Sequence, residues 1–454
     1  MSEDVIPLSS LNKKDFGPDF KWGVSVAAYQ IEGAHQKDGK GLSIWDVFTN
    51  TKGKIKDNQN GNVTADFYHR YQEDIDLIKH LNIPNFRFSI SWSRILPNGT
   101  GQINQEGINY YNKVIDYCLA LGIEPWVTLY HWDLPHALQL KGGWCNREVV
   151  KWFEEFVNIC ALNFGDRVKN WMVMNEPVVF TGAGYFLGLH APGKKGIKNF
   201  LPAIHYVTLS IVAGAKILRQ LVDGANIGVT FSCSHLEPHR NIPRDIKAVN
   251  RVNALLNRLF IEPILGLGYP DVDLPILKGI KKYTKPEDAA NLSFDFDFIG
   301  IQNYTREIIK NSWLIPYVNA TLVKAEKRKV KLTEMKWEVY PKAMYQMIKQ
   351  FNQYPQIRKL LITENGAAFA DELVDGKIKD ADRTQYIQDN LRQILRAKKD
   401  GYQVDGYFVW TLTDNFEWAE GYHPRFGLIH INFETQERII KDSGHWYQQF
   451  LAEE

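Results

Sequence analysis

Short, nearly continuous apolar segments recur along the whole chain. Eight of them have the length and composition of β-strands, and their lack of polar alternation is typical of strands that are covered on both faces. They lie at residues 22–27, 85–90, 124–130, 171–175, 226–232, 297–302, 360–363 and 406–412. The pattern therefore predicts a buried parallel sheet, because the strands of an antiparallel sandwich would alternate between apolar and polar residues.

Helical patterns separate most of these segments. The apolar face of residues 64–81 consists of Phe67, Tyr71, Ile75, Ile78 and Leu81. Strand then helix, repeated eight times without a linker, predicts an α/β fold with one domain over residues 1–454, a (β/α)8 TIM barrel. The alternative is a doubly wound open sheet. It is disfavoured because the first strand lacks a GxGxxG turn and because the strands reach eight.

Two short strings place a glutamate where a predicted strand gives way to a loop. They are Asn175-Glu176-Pro177 and Glu364-Asn365-Gly366. The carboxyl ends of all strands in a parallel barrel face one mouth, so we expect the active site there and both glutamates in it. Paired carboxyl groups can act as an acid and as a nucleophile or base. One glutamate at a strand end is usually structural, whereas two in matching contexts predict catalysis.

The bulk composition narrows the range of partners. Hydrophobic residues make up 44% and charged residues 23% of the chain, which is ordinary for a globular protein with a large core. The formal charge of +2 predicts no general attraction to nucleic acid or to an anionic membrane. No stretch of 18 apolar residues occurs, so we expect no membrane span. The sequence leaves the oligomeric state open.

The amino terminus and the cysteines favour a cytoplasmic protein. Residues 1–16 lack an apolar segment of the kind that secretory signals contain. The four cysteines are Cys118, Cys145, Cys160 and Cys233. They form no CxxC pair, which is typical of buried free thiols in a reducing compartment. His131 and His136 stand five positions apart, but no third ligand lies near them, so we expect neither a metal nor another cofactor.

Several longer strings resemble the family 1 glycoside hydrolases of the β-glucosidase type. They are residues 30–33 (QIEG), 87–94 (RFSISWSR), 131–135 (HWDLP), 175–177 (NEP), 362–366 (ITENG) and 415–422 (NFEWAEGY). These strings span nearly the whole chain in the family's order. The resemblance implies a retaining β-glycosidase that removes terminal nonreducing β-D-glucosyl residues from oligosaccharides or from aryl and alkyl glycosides. It also implies that β-galactosyl and β-fucosyl residues are accepted.

The resemblance implies unequal roles for the two glutamates. Glu364 matches the family's nucleophile and Glu176 its acid/base, and retention requires their carboxyl groups roughly 5 to 5.5 Å apart. Arg87 and Tyr304 match the partners of the nucleophile, and a cation and a phenol donor would both favour its charged form. That anion would keep the proton on Glu176. Asn303 is expected to support the same pair.

Other positions match residues that bind the sugar in this family. Asn175 is expected to bind the 2-hydroxyl, and Trp410 is expected to stack beneath the ring. Trp337 matches an aromatic residue beside the leaving group, and Phe426 is expected to close the pocket. The full set of expected substrate-binding residues is Gln30, His131, Trp132, Asn175, Trp337, Trp410, Glu417, Trp418 and Phe426.

Three other functions are possible on this fold, and the sequence differs from the family's usual pattern at one position. Enzymes for 6-phosphorylated sugars typically lose the glutamate that matches Glu417, whose carboxylate would repel a phosphate. Plant thioglucosidases usually carry glutamine in place of Glu176, so the glutamate here favours an oxygen-linked glycoside. A catalytically silent carbohydrate-binding barrel is a further alternative, since a fold does not by itself imply activity. The departure is Gln302, which stands where the family usually has asparagine and is expected to tune the site.

Overall fold

A computed structural model describes residues 11–452 of the chain. The predictions about a secretory signal and about the outer ends of the domain therefore fall partly outside the described residues. The strands are β1 (Lys21–Ser25), β2 (Asn85–Ser89), β3 (Glu124–Tyr130), β4 (Asn170–Asn175), β5 (Asn226–Ser232), β6 (His235–Pro238), β7 (Phe298–Gln302), β8 (Arg306–Asn311), β9 (Ala320–Leu322), β10 (Leu360–Asn365), β11 (Glu372–Val374), β12 (Lys377–Lys379), β13 (Gly406–Trp410), β14 (Ile429–Ile431) and β15 (Arg438–Ile440).

Helices fill most of the intervals between the strands. The α-helices are α1 (Ala28–Ile31), α2 (Ile44–Thr49), α3 (Phe67–His80), α4 (Trp92–Ile95), α5 (Gln105–Ala120), α6 (His136–Leu140), α7 (Val149–Phe164), α8 (Pro177–Thr181), α9 (Ile197–Leu221), α10 (Pro243–Asn253), α11 (Ile261–Ile264), α12 (Lys342–Phe351), α13 (Ala381–Lys399) and α14 (Asp442–Ala452). The segments Gly182–Phe186 and Ala254–Arg258 are π-helical. Short 3-10 helices occur at Lys13–Phe16, Lys37–Gly39, Lys56–Asn58, Gly143–Cys145, Pro275–Lys282, Pro286–Asn291, Ala325–Lys327 and Trp418–Glu420.

Eight parallel strands close into a barrel. Going round it, the order is β1-β13-β10-β7-β5-β4-β3-β2, and β1 pairs with both β13 and β2 to complete the ring. Strands that follow one another along the chain are neighbours in this ring. The prediction of a (β/α)8 TIM barrel is therefore confirmed, and the doubly wound open sheet is excluded. The remaining strands form small sheets outside the barrel.

The predicted elements are present with shifted ends. Strand β1 ends at Ser25, two residues before the predicted end, because the chain turns into α1 at Ala28. Helix α3 begins at Phe67 and not at residue 64. The cause is local, since Thr64 and Asp66 have φ of +52° and +53° and so lie in the left-handed region, outside a right-handed helix.

A separate apolar cluster blocks the axis of the barrel. It consists of Trp126, Met172, Phe298, Leu361 and Phe408, which come from five different barrel strands. Side chains from strands on opposite sides of the ring can meet only inside it, so this cluster, which we call the interior plug, fills the barrel. Its Met172 sulfur lies 2.9 Å from Arg87 Nε. The plug therefore directly underlies a layer of polar residues at the carboxyl end of the strands.

The larger part of the core lies between the strands and the surrounding helices. It forms one apolar cluster that extends along the chain from Phe16 to Leu451, which supports a single domain. Among the described helices, only α9 is long and apolar enough to span a membrane, with a mean hydropathy of 1.5, and 83% of that stretch is buried inside the fold. All four cysteines are free, but Cys145 is only half-buried, which corrects the expectation that every thiol is buried.

Replacing Gly23 with alanine is expected to destabilise the barrel. A Cβ at this position would lie 2.3 Å from ring carbons of Phe408, so the interior plug would have to shift. Overpacking of this kind costs about 1 to 3 kcal/mol, and calorimetry should record a lower midpoint of thermal unfolding. The matched control is Gly182→Ala, because a Cβ there meets no heavy atom within 4 Å. An unchanged midpoint for Gly23→Ala would contradict the expectation.

Candidate active site

Glu176 and Glu364 line one cavity of about 350 Å³ at the carboxyl end of the barrel. Glu364 lies within β10, and Glu176 directly follows β4, at the point where the chain enters α8. The backbone of Glu176 has φ of +45°, which is uncommon for a residue other than glycine. Strain of this kind clusters at functional sites, where the surrounding structure holds a residue in place. Both glutamates are buried.

Arg87 and Tyr304 both donate hydrogen bonds to Glu364. The Arg87 guanidinium, fully buried on β2, donates to Oε1, and the Tyr304 hydroxyl donates to Oε2 at 2.8 Å. Burial and the neighbouring carboxyl groups raise the pKa of Tyr304 well above its usual value, so it stays a phenol and a donor. Each oxygen of the Glu364 carboxyl group therefore has a partner that favours its charged form.

The two glutamates differ in their electrostatic surroundings. Burial, followed by the charge of Glu364, raises the pKa of Glu176 well above its usual value. Burial also raises the pKa of Glu364, but the charge and hydrogen bond of Arg87 and the hydrogen bond of Tyr304 oppose that rise. When the pair holds one proton, that proton therefore resides on Glu176. The site can hold an acid and an anion side by side.

Asn175 lies at the centre of a hydrogen-bond network beneath the cavity. Its Oδ1 accepts from Arg87 Nη2 at 2.5 Å, from Thr230 Oγ1 at 2.8 Å and from Gln302 Nε2 at 2.8 Å. Its Nδ2 donates to His131 Nε2 at 3.0 Å. Three donors on the oxygen fix the orientation of the amide, so that its nitrogen faces His131. Because an amide nitrogen carries two hydrogens, one N–H is left for a ligand.

Polar atoms on His131 and Gln30 have no partner among the described residues. They are His131 Nδ1 and Gln30 Oε1, and both residues are buried. Burial and the charge of Arg87 lower the pKa of His131 well below its usual value, so its ring is neutral. A buried polar atom without a partner costs free energy, which hydroxyl groups of a bound ligand would restore.

Glu417 is held by Gln30, whose Nε2 lies 3.4 Å from Oε2 of Glu417 and 3.0 Å from the carbonyl oxygen of Phe416. Burial and the charge of Glu364 raise the pKa of Glu417 to about 8. Glu417 is present in the cavity, as expected for an enzyme that acts on unphosphorylated sugars. The cavity lining also disfavours a phosphorylated sugar, since no described lining residue is a lysine or arginine.

Aromatic side chains form most of the cavity wall. On one side Trp132 and Trp418 lie with ring centroids 4.5 Å apart, and the ring of His131 stacks on Trp410 at 6.1 Å. On the other side the ring of Trp337 contacts those of Tyr304 and Phe426. Flat apolar faces beside a polar floor suit a sugar ring, which presents carbon-bound hydrogens on its faces and hydroxyl groups at its edge.

Comparison with known proteins agrees with this geometry. The family model described as Glycosyl hydrolase family 1 matches residues 12–454. The chain belongs to glycosyl hydrolase family 1. The predicted family is confirmed, and the protein is a glycoside hydrolase.

The relatives cover nearly the whole of this glycosyl hydrolase. It is 42% identical over 443 residues to Beta-glucosidase A of Thermotoga maritima, with 97% of this chain and 98% of that protein covered. It is 43% identical over 449 residues to Beta-glucosidase A of Acetivibrio thermocellus, with 97% and 99% covered. The structure of the T. maritima β-glucosidase with deoxynojirimycin superposes with a TM-score of 0.93 at 41% identity and covers 96% of this chain and 98% of that chain.

Asn303 does not reach either carboxyl group of this family 1 enzyme. Its Nδ2 donates to the carbonyl oxygens of Cys233 and Thr305. Neighbouring residues at a strand end point to opposite sides, so Gln302 turns its amide to Asn175 while Asn303 turns away from the cavity. The expectation that Asn303 directly supports Glu176 and Glu364 therefore does not agree with these contacts. Its contacts fix the loop that carries Tyr304, and Gln302 is the residue that reaches the polar network.

Several cavity residues were not predicted. They are Val179, His190, Ser232, Cys233, Ser234, Thr305, Glu307, Met335, Ala419 and Glu420. Most of them lie on loops after barrel strands, where no apolar periodicity marks a position. Glu307 is the most unusual of them chemically, because burial raises its pKa to about 7. A glutamate directly after Arg306 in the sequence gives no signal of that burial.

One cluster of possible metal ligands exists among the described residues, away from the cavity. Asp371, Asp414 and His430 place their ligand atoms within 4.8 Å of one another. Lys441 is fully buried, and its Nζ lies 2.7 Å from Asp371 and 2.8 Å from Asp414. An ammonium group therefore already supplies positive charge between the two carboxylates, so the cluster fits a buried ion-pair network better than a metal.

The Lys441→Met variant is expected to be strongly destabilised. It would leave Asp371 and Asp414 buried without the ammonium between them, and removing one partner of a buried ion pair typically costs about 3 to 5 kcal/mol. The measurement is the midpoint of thermal or urea unfolding. Lys331→Met is the matched control, because the Lys331 side chain is half exposed in its pair with Asp382. Loss of this surface ion pair should change the midpoint of unfolding little. Equal stability of the two variants would contradict the expectation.

Proposed function

We propose that this enzyme is a retaining β-glucosidase that removes terminal nonreducing β-D-glucosyl residues and also accepts β-galactosyl and β-fucosyl residues. One observation carries the proposal. Arg87 and Tyr304 both donate to Glu364, and within residues 11–452 neither donates to Glu176. This asymmetry prepares one carboxyl group as a nucleophile and the other as an acid.

In the first half-reaction Glu364 attacks the anomeric carbon. Glu176 gives its proton to the leaving oxygen at the same time, so that the glycosidic bond breaks and the leaving group departs as a neutral alcohol. The sugar is then bound to Glu364 as an ester. The raised pKa of Glu176 supports this step, because the acid must still hold its proton at neutral pH.

In the second half-reaction Glu176 acts as a base, and the ester on Glu364 is hydrolysed. The ester removes the negative charge of Glu364, which helped to raise the pKa of Glu176. Glu176, which gave its proton to the leaving group, therefore stays a carboxylate and accepts a proton from an attacking water molecule. Glu364 leaves as a carboxylate, which Arg87 and Tyr304 stabilise. Two displacements on one carbon retain its configuration.

The polar network supports binding of the sugar hydroxyl groups. We propose that the remaining N–H of Asn175 donates to the 2-hydroxyl, and that His131, Gln30 and Glu417 bind other hydroxyl groups. Gln302 would orient Asn175 from below. Trp410 would stack beneath the ring, with Trp132 and Trp418 beside it, and Trp337 and Phe426 would border the leaving group and the outer edge.

The relatives support this substrate class. Beta-glucosidase A is the name of two of them, and 1,4-beta-D-glucan glucohydrolase is the name of another, from Thermotoga neapolitana, which is 40% identical over 440 residues. The silent carbohydrate-binding barrel is disfavoured because both carboxyl groups are present and electrostatically distinct. A small-molecule glycoside is the proposed partner. Location in the cytoplasm and a lack of binding to nucleic acid or membranes stay predictions.

A 2-deoxy-2-fluoro glucosyl inactivator should trap the ester on Glu364. Fluorine at carbon 2 destabilises the positive charge that develops in both steps, so that the intermediate accumulates when the leaving group is good. Mass spectrometry of a protease digest should find the added sugar on the peptide that contains Glu364. A label on any other peptide would contradict the assignment.

Activity of variants provides the control for this experiment. Glu364→Ala should show no release of nitrophenol from 4-nitrophenyl β-D-glucoside above background. The matched variant Glu434→Ala removes an exposed glutamate and should retain wild-type activity. Wild-type protein that is no faster than Glu364→Ala would exclude the proposed enzyme function.

The alkaline fall of kcat/KM should depend on the leaving group. Glu176 works as an acid only when protonated, so with a poor leaving group kcat/KM falls as the pH rises through its raised pKa. With 2,4-dinitrophenyl β-D-glucoside, whose leaving group needs no proton, this fall should disappear. An alkaline fall that is equal for both substrates would contradict the role of Glu176.

The fall of kcat/KM at low pH should shift when Tyr304 is replaced. Tyr304→Phe removes a hydrogen bond that lowers the pKa of Glu364, so that pKa rises and the acidic fall of kcat/KM moves to higher pH. The matched control is Tyr117→Phe, because the Tyr117 hydroxyl bonds Asp76 at the protein surface. An acidic fall at the same pH in both variants would contradict the role of Tyr304.

A further inference from the structure

Glu307 places a carboxyl group without a partner in the wall of the catalytic cavity. It lies on β8, in a small sheet outside the barrel, and it lines the cavity together with Trp337 and the two reacting glutamates. Within residues 11–452 this carboxyl group forms neither an ion pair nor a hydrogen bond. The residue is half-buried, and burial raises its pKa to about 7. A partly buried carboxyl group without a partner costs free energy, which a bound ligand would restore.

The cations nearest to Glu307 are bound to other carboxyl groups. Arg306 precedes it on β8, but successive side chains of a strand point to opposite faces. Arg306 donates to Glu338 at 2.9 and 3.0 Å and to Glu237 at 3.1 Å, and Arg328 also donates to Glu338. The charge of Arg328 opposes the rise in the pKa of Glu307 without cancelling it, and neither arginine lines the cavity. Glu307 is therefore free to bind a group inside the cavity.

The cavity lining is rich in acidic groups. Among its described residues there are five glutamates and no lysine or arginine. Burial and the charge of Arg87 lower the pKa of His131, and burial lowers the pKa of His190 to about 4, so both histidines of the lining are neutral. A cleft lined by one sign of charge attracts ligands of the opposite sign. A cation is therefore the charged group that best complements the lining. The five glutamates are Glu176, Glu307, Glu364, Glu417 and Glu420.

Glu307 lies at the end of the cavity that borders the leaving group. Glu338 is one of the charged groups that act on the pKa of Glu307, whereas Glu176 and Glu364 are not. Glu338 directly follows Trp337, which borders the proposed position of the leaving group. A ligand group that reaches Glu307 therefore belongs to the leaving group and not to the sugar that reacts.

We propose that Glu307 binds a cation on the leaving group, so that the enzyme prefers β-glucosides whose leaving group carries an ammonium ion. The proposal rests on the proposed β-glucosidase function and specifies its leaving group. An ammonium group can donate three hydrogen bonds, and its charge stabilises the ionised form of a neighbouring carboxyl group. Amino alcohols and aminoalkyl phenols are leaving groups of this class.

The test compares 4-(aminomethyl)phenyl β-D-glucoside with 4-ethylphenyl β-D-glucoside, in which a methyl group replaces the ammonium group. The readout is the ratio of their kcat/KM values, amine over ethyl, slightly above neutral pH. Because the ammonium group also makes the phenol a better leaving group, this ratio is compared between variants. Glu307→Gln keeps the size of the side chain and removes its charge, so it should lower the ratio about tenfold. Glu307→Lys should lower it further through repulsion of like charges.

The matched control is Glu326→Gln, which removes the same charge from an exposed glutamate on the loop after β9. Glu326 does not line the cavity, so this variant should keep the wild-type ratio. Thermal unfolding of every variant would show whether it is folded. A fall in the ratio that is equal for Glu326→Gln and Glu307→Gln would indicate a general effect of charge and would overturn the proposal.

The outcomes separate the two proposals. An enzyme that hydrolyses 4-nitrophenyl β-D-glucoside but has the same ratio in wild type and Glu307→Gln would overturn the role of Glu307 and leave the β-glucosidase function intact. An enzyme that hydrolyses none of the substrates would overturn both. An unchanged ratio together with a lower kcat/KM of Glu307→Gln for cellobiose would instead assign Glu307 to a hydroxyl group of a second sugar.

Discussion

The charge on Arg87 is the constraint on which the rest of the site depends. The guanidinium is fully buried, and it contacts Glu364 from β10, Asn175 from β4 and Thr128 from β3. Burying a cation is expensive unless anions and acceptors surround it. The barrel supplies them from strands distant in sequence, so correct closure of the ring and a charged Glu364 require each other.

Much of this arrangement follows from the sequence, because strand order determines which residues meet. Once eight strands are placed in a ring, Glu176 and Glu364 must share one mouth, however far apart they are in the chain. The sequence is less informative at the level of single side chains. Gln302 and Asn303 are adjacent amides, and only the direction of each side chain at the strand end decides which one enters the network. His190 on a loop and Glu307 on β8, outside the barrel, line the cavity without any periodic pattern to predict them.

Protonation states are the other property that local sequence does not determine. Glu176, Glu364 and Glu417 are chemically identical side chains, yet their titration depends on depth and on each other's charge. Burial raises the pKa of both Glu364 and Glu417, but at Glu364 the charge of Arg87 opposes that rise, whereas at Glu417 the nearby charge of Glu364 adds to it. The functional differences among the three glutamates are therefore properties of the assembled barrel.

The interior plug limits the paths by which water and products can reach and leave the active site. Trp126, Met172, Phe298, Leu361 and Phe408 seal the barrel below the polar floor, so that the active site has no rear exit along the barrel axis. Water for the second half-reaction must then enter, and the first product must leave, at the carboxyl end of the barrel. A slowly departing aglycone would delay that arrival, and an alcohol that stays near Glu176 would compete with water for the sugar. The closed floor thus links the rate of release to the balance between hydrolysis and sugar transfer.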